Sequence, residues 1–185
     1  MNKQPQRTAA TRNILISTFL SLNEQKPMEK ITISELTRKA GYNRSTFYQY
    51  FNDTYHLLSY IEDEFLAYIH ETIVGQIGKE KSAALFIEQF IHIFSEKRRL
   101  LKLLLNSSNF HTKLKDFLIP AFAARLGLPL AEEKNVFLLE FYLSGIISIL
   151  ARWVSSETPM PPEEYALLMR RIVEGMKKSE LFPVI

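Results

Sequence analysis

Arg44, Ser45, Tyr48 and Gln49 are the residues whose types and spacing point most directly to chemistry. Stepping about 100° per residue along a helix places all four on one face. Phe47, Tyr50 and Phe51 fall on the opposite side, with Thr46 at the edge. The first face carries a guanidinium, two hydroxyls and a carboxamide, groups that hydrogen-bond base edges and phosphates. The second is aromatic and anchors the helix. Such a division suits a helix that enters a DNA major groove. No comparable constellation supports catalysis. The six glycines are scattered, and neither Gly-x-Ser-x-Gly nor His-Glu-x-x-His occurs. His56, His70, His92 and His111 lie far apart in sequence, and lone helical histidines are more often structural than ligands. Without cysteine there is no disulfide, thiolate zinc site or cysteine nucleophile. The expectation is therefore no enzyme, no metal and no cofactor.

The two-faced helix needs elements to hold it. Thr32 is a good N-cap, and Glu35 three residues on completes a capping box ahead of Ile33, Leu36 and Ala40. Gly41 supplies a left-handed helix stop, and Asn43 caps the next helix. Ile31 to Phe51 thus reads as two short helices joined by a tight turn. Before them, Leu15, Phe19 and Leu22, widened by Ile14, mark an amphipathic helix from Thr8 to about Glu24. It closes a three-helix head, and Lys3 to Arg7 is expected to be an arm disordered off DNA. Asp53 caps a long fourth helix from Thr54 to about Gln76, shared between head and body.

The stretch resembles the helix-turn-helix of the TetR/AcrR family of transcriptional regulators. The residues that carry the likeness are Ile31-Thr32-Ile33, Ala40-Gly41, Asn43, Thr46-Phe47-Tyr48 and Tyr50-Phe51, followed by Leu57-Leu58. The match is dense over about 50 residues. It implies backbone binding by Thr32, Thr46, Tyr48 and Tyr50 and base reading by Arg44, Ser45 and Gln49. Tyr42, Asn43 and Thr54 complete the expected DNA-binding set. Where this chain has Thr54, members usually carry a Lys that touches a phosphate; Thr54 keeps a hydrogen-bonding hydroxyl without the charge. The resemblance implies a helix-turn-helix domain over residues 6–66, with the motif at about 31–50. Residues 67–185 would form a regulatory and dimerisation domain.

Charge fits that division. Residues 1–52 hold eight Lys/Arg against three Glu, a net of +5, and the remainder holds 15 basic against 17 acidic residues, a net of −2. A basic head on a near-neutral body suits phosphate neutralisation. The polar N-terminus, Met1 to Arg7, lacks the apolar core of a signal peptide, so a cytoplasmic protein is expected.

The body reads as all helix, without strand alternation, giving nine or ten helices in an all-α chain. Segments are expected at Ser82–Glu96, Arg98–Leu105, Phe110–Leu126 with a kink or break at Pro120, Glu132–Ser156 and Glu163–Ser179. Between Glu140 and Arg152 lie fewer apolar residues than the roughly 20 needed to span a membrane. A two-fold homodimer through the last two helices is expected, with Ile146, Ile149, Leu150 and Trp153 at its interface and Ser144, Gly145 and Ser148 permitting close approach. The aromatics Phe86, Phe90, Phe94, Phe117, Phe122, Phe137, Tyr142 and Trp153 suit either core or pocket. Because TetR/AcrR members commonly bind a small molecule in the body, a pocket for an apolar or aromatic effector is expected around Tyr68, His70, Phe86, Phe90, His92, Phe117 and Tyr142. The order Gly145, Trp153, Pro162-Glu163-Glu164 is similar to a subgroup that includes activators of dihydroxyacetone-kinase operons, which work with a protein coactivator. The sequence thus points to a dimeric repressor of a palindromic double-stranded operator, relieved by an effector. The alternative is a regulator, repressor or activator, whose body binds a protein instead.

Overall fold

The computed structural model describes residues 4–72, 91–92 and 94–177. The segment expected at Ser82–Glu96 lies largely outside them, with Phe86 and Phe90. Every regular element among the described residues is helical. Among the described residues the bounded α-helices are α1 (Gln4–Asn23), α2 (Ile33–Ala40), α3 (Arg44–Tyr48), α4 (Thr54–Thr72), α5 (Arg98–Leu105), α6 (Ser108–Leu126), α7 (Glu133–Ser155) and α8 (Pro162–Lys177), and a 3-10 turn occupies Met28–Lys30. The chain separates into two compact units, Met1–Phe65 and Leu66–Ile185, with α4 running through the division.

In the first unit, α1 packs on α2 and α2 on α3. Leu15, Phe19 and Leu22 of α1, Leu36 of α2, Phe47 of α3, Phe51, and Leu57, Ile61 and Phe65 of α4 are all buried. Fully burying one such side chain stabilises by about 1.5–3 kcal/mol. α1 begins at Gln4, so residues 4–7 of the arm expected to be disordered are instead helical. Pro5 occupies its first turn, where a missing N–H costs no intrahelical bond.

In the second unit, α7 packs on both α5 and α6. Leu101, Leu104 and Leu105 of α5, Phe110, Leu114 and Leu118 of α6, and Leu139, Leu143, Ile147, Leu150 and Val154 of α7 form its core. Ser107 caps α6, and Gly127 (φ 63°) ends it with a left-handed turn. The helix is not split at Pro120, which it carries on an exposed side. There the carbonyl that loses its helical partner is open to water. Lys115 donates to Glu140 at 2.6 Å, tying α6 to α7. By length and composition α7 could cross a membrane. Its buried stripe instead faces α5 and α6.

Leu150 and Trp153, expected at a dimer interface, are turned into the chain's own core, 1% and 8% exposed. Trp153 stacks on Tyr165 of α8 with centroids 4.3 Å apart and donates its indole N–H to the Met160 carbonyl at 2.7 Å. Neither has surface to offer a partner. Ile146 and Ile149 are half-buried. The large apolar side chains that α7 leaves open are Phe137 and Phe141, 64% and 75% exposed. Phe137 therefore lines no pocket, and Phe94 is core.

Candidate nucleic-acid interface

The helix-turn-helix is held by local hydrogen bonds. Thr32 Oγ1 accepts from the Glu35 amide at 3.2 Å, opening α2. Gly41, at φ 75°, closes α2, and the Tyr42 amide donates back to the Thr37 carbonyl at 2.9 Å. Asn43 Oδ1 then accepts from the Thr46 amide at 2.8 Å and starts α3. Lys26, beside the 3-10 turn, pairs with Glu35. That hydrogen bond is the main reason the Glu35 carboxyl is held below its ordinary range.

On this frame Arg44, Ser45, Tyr48 and Gln49 are all exposed, Tyr48 to 56%. Phe47 and Phe51 beneath them are fully buried, with ring centroids 5.6 Å apart. Thr32 and Asn43 are also exposed, whereas Tyr42, Thr46, Tyr50 and Thr54 are half-buried. The Thr32 hydroxyl accepts the cap bond through a lone pair, which does not use its proton. Tyr42 OH lies 3.4 Å from Thr11 Oγ1 of α1. Arg12 of α1 donates to Tyr60 OH at 2.9 Å and lies 5.9 Å from the Tyr50 ring centroid. One of the basic charges counted in the head is thus held among aromatic groups. No sequence signal within α1 foretells a partner 48 residues away.

Thr54 opens α4. Asp53 Oδ1 accepts from the His56 amide at 2.7 Å, and the Asn52 amide donates to His56 Nδ1 at 3.1 Å. The side chain of His56 thus reaches back one residue beyond the Asp53 cap, to the amide of Asn52. Beside it stands Tyr55, 60% exposed, which sequence reasoning passed over. Its signal was its place two residues beyond the Asp53 cap, outside the apolar stripe.

His70 and Phe117 meet edge to face at 6.1 Å. Phe122 and Tyr142 meet at 6.2 Å, and burial pushes the Tyr142 hydroxyl up to about 12. Lys97 Nζ sits 4.3 Å from the Tyr68 ring centroid. His92 is turned to solvent, its side chain 73% exposed, with Nδ1 3.6 Å from Glu96 on the next turn. A side chain so open does not wall a closed pocket.

A capped three-helix head presenting a polar recognition surface, attached to a helical body, defines a DNA-binding transcriptional regulator. Residues 15–61 match the bacterial regulatory proteins of the tetR family, and residues 81–175 match the C-terminal region of such transcriptional regulators. The chain belongs to the TetR family and is a transcription factor, not an enzyme. Among solved structures it is similar to a TetR transcriptional regulator from Streptococcus agalactiae 2603V, with 22% identity, a TM-score of 0.65, and 90% of this chain and 96% of that one covered. It is also similar to an AcrR-family regulator from Aquifex aeolicus VF5, at 17% identity and a TM-score of 0.69, covering 88% and 99%. A third similar structure is the dihydroxyacetone kinase operon activator DhaS, at 14% identity and a TM-score of 0.56, covering 90% and 95%. At these identities the likeness concerns the fold. No curated protein matches the sequence.

Proposed function

We propose that this protein is a homodimeric repressor of a palindromic operator, acting in the cytoplasm and relieved by a small apolar or aromatic effector. In this reading residues 6–66 bind DNA and residues 67–185 dimerise and regulate. The observation that carries it is the exposure of Arg44, Ser45, Tyr48 and Gln49 over the buried Phe47 and Phe51. Arg44, Ser45 and Gln49 read bases, while Thr32, Thr46, Tyr48, Tyr50, Thr54 and, newly, Tyr55 meet the backbone, with Tyr42 and Asn43 at the rim. Selection of bound duplexes from a random pool tests this reading. A palindromic site should emerge; recovery of unrelated sequences would refute it.

Dimerisation is supported by Phe137 and Phe141, four residues apart and therefore on one face of α7. Ser144, Gly145 and Ser148 continue that exposed face. Leu167 and Leu168 add partly open apolar surface on α8, about 40% exposed. Two such faces would place two heads on two half-sites.

For the effector, the half-buried aromatic groups Phe117, Phe122 and Tyr142 supply apolar walls and one neutral hydroxyl. A ligand acts only through its differential affinity for the DNA-competent state, and a tenfold loss of operator affinity needs about 1.4 kcal/mol of such coupling. A thermal-shift screen of aromatic and apolar compounds, followed by operator titration with each hit, reads this directly. The second reading, an activator whose body binds a protein, is favoured by the similarity to DhaS, a dihydroxyacetone kinase operon activator. It takes over if stabilising compounds leave operator affinity unchanged.

A further inference from the structure

Asn43 does more than open α3. Its Oδ1 accepts from the Thr46 amide at 2.8 Å, and the same atom lies 2.8 Å from Thr46 Oγ1 and 2.7 Å from Ser45 Oγ. The backbone donor fixes the orientation of the carboxamide, because an N–H must face the oxygen rather than the NH₂ group. A carboxamide oxygen can only accept. That oxygen has two lone pairs: the Thr46 amide takes one, and the nearer hydroxyl, Ser45 Oγ at 2.7 Å, gives its single proton to the other. Ser45, exposed on the face assigned to DNA, is left with lone pairs alone. With its oxygen occupied, Asn43 can offer DNA only its Nδ2 protons.

We infer that Ser45 reads the operator as a hydrogen-bond acceptor, and that Asn43 is the positioning residue that sets this polarity. The complementary groups in the major groove are exocyclic amines, adenine N6 or cytosine N4. Guanine N7 and O6 and thymine O4 are acceptors and leave Ser45 unpaired. Arg44 next to it is a pure donor, so neighbouring residues present opposite polarities to the bases. The inference rests on α3 being the DNA-reading helix.

The test uses the full-length protein and the duplex recovered by selection. At each adenine and cytosine of the half-site the exocyclic amine is deleted, purine replacing adenine and 2-pyrimidinone replacing cytosine. At one position per half-site the wild type should lose roughly two- to twelvefold in affinity, the span of one neutral hydrogen bond. Ser45→Ala should bind both forms of that position alike. Asn43→Gly keeps a tolerated cap but frees the Ser45 proton. With helicity checked by circular dichroism, it should accept guanine or thymine at the same position. Should Ser45→Ala respond to every deletion as the wild type does, or lose discrimination at a guanine or thymine instead, the acceptor assignment is overturned. The Ser45→Ala comparison decides even where Asn43→Gly folds poorly. A wild type without any sequence preference overturns the reading helix as well; retained preference without coupling to Ser45 overturns this inference alone.

Discussion

Single side chains in the head divide into those that hold the frame and those that face outward. Arg44 is the exposed cation of α3. Arg44→Ala should cost about 1–3 kcal/mol of operator binding and relax preference at one position per half-site, measured by titrating single-base variants of the site. Phe47, fully buried, belongs to the other group. Phe47→Ala should destabilise the fold by about 3–5 kcal/mol, read from the denaturation midpoint. Glu35 introduces a pH dependence. Its carboxyl titrates below the ordinary Glu value because of its bond to Lys26. Its contribution to stability is thus fully present above the unfolded-state value and lost as pH falls through the folded one. Glu35→Gln should flatten the acid side of the stability–pH curve, measured from urea midpoints between neutral and acidic pH. These roles were largely legible in the sequence, since a cap, a left-handed glycine and a 3.6-residue period are local. The hold on Arg12 was not: its partner Tyr60 lies on another helix.

At the scale of elements, the turn between α2 and α3 depends on backbone geometry more than on packing. Gly41 sits at φ 75°, and a Cβ added there would meet no atom within 4 Å. Gly41→Ala should therefore cost only the left-handed penalty, about 1–2 kcal/mol, without steric damage. A loss of 4 kcal/mol or more in denaturation would show another role. In the body, the sequence revealed that α7 is apolar but not which stripe faces inward. Ile146, Ile149, Leu150 and Trp153 looked like a surface because an apolar helix offers several stripes of similar character. Contacts with α5, α6 and Tyr165, all distant in sequence, decide that Leu150 and Trp153 are core and leave Phe137 and Phe141 open. Phe141→Glu should consequently give monomers that keep full helicity but bind the operator weakly. Sedimentation velocity at micromolar concentration tests this, and an unchanged dimer would reassign the face.

For the whole molecule, the sequence carried the all-helical class and the capped head, because both depend on short-range patterns. The effector residues were hardest to read. Aromatic residues at helical spacing look the same whether they fill a core or line a cavity, and His92 proved to face solvent. The central claim is that the outward face of α3 reads DNA within a basic head. The most direct measurement is a fluorescence-anisotropy titration of the selected palindrome and of a scrambled duplex of equal length, for wild type and Arg44→Ala, across a series of salt concentrations. Wild type should favour the palindrome by at least about a thousandfold, with affinity for both duplexes falling steeply as salt rises. Arg44→Ala should lower that preference by roughly 5- to 150-fold, the equivalent of its 1–3 kcal/mol, while retaining weak binding to the scrambled duplex. Equal weak affinity of the wild type for both duplexes would contradict the account.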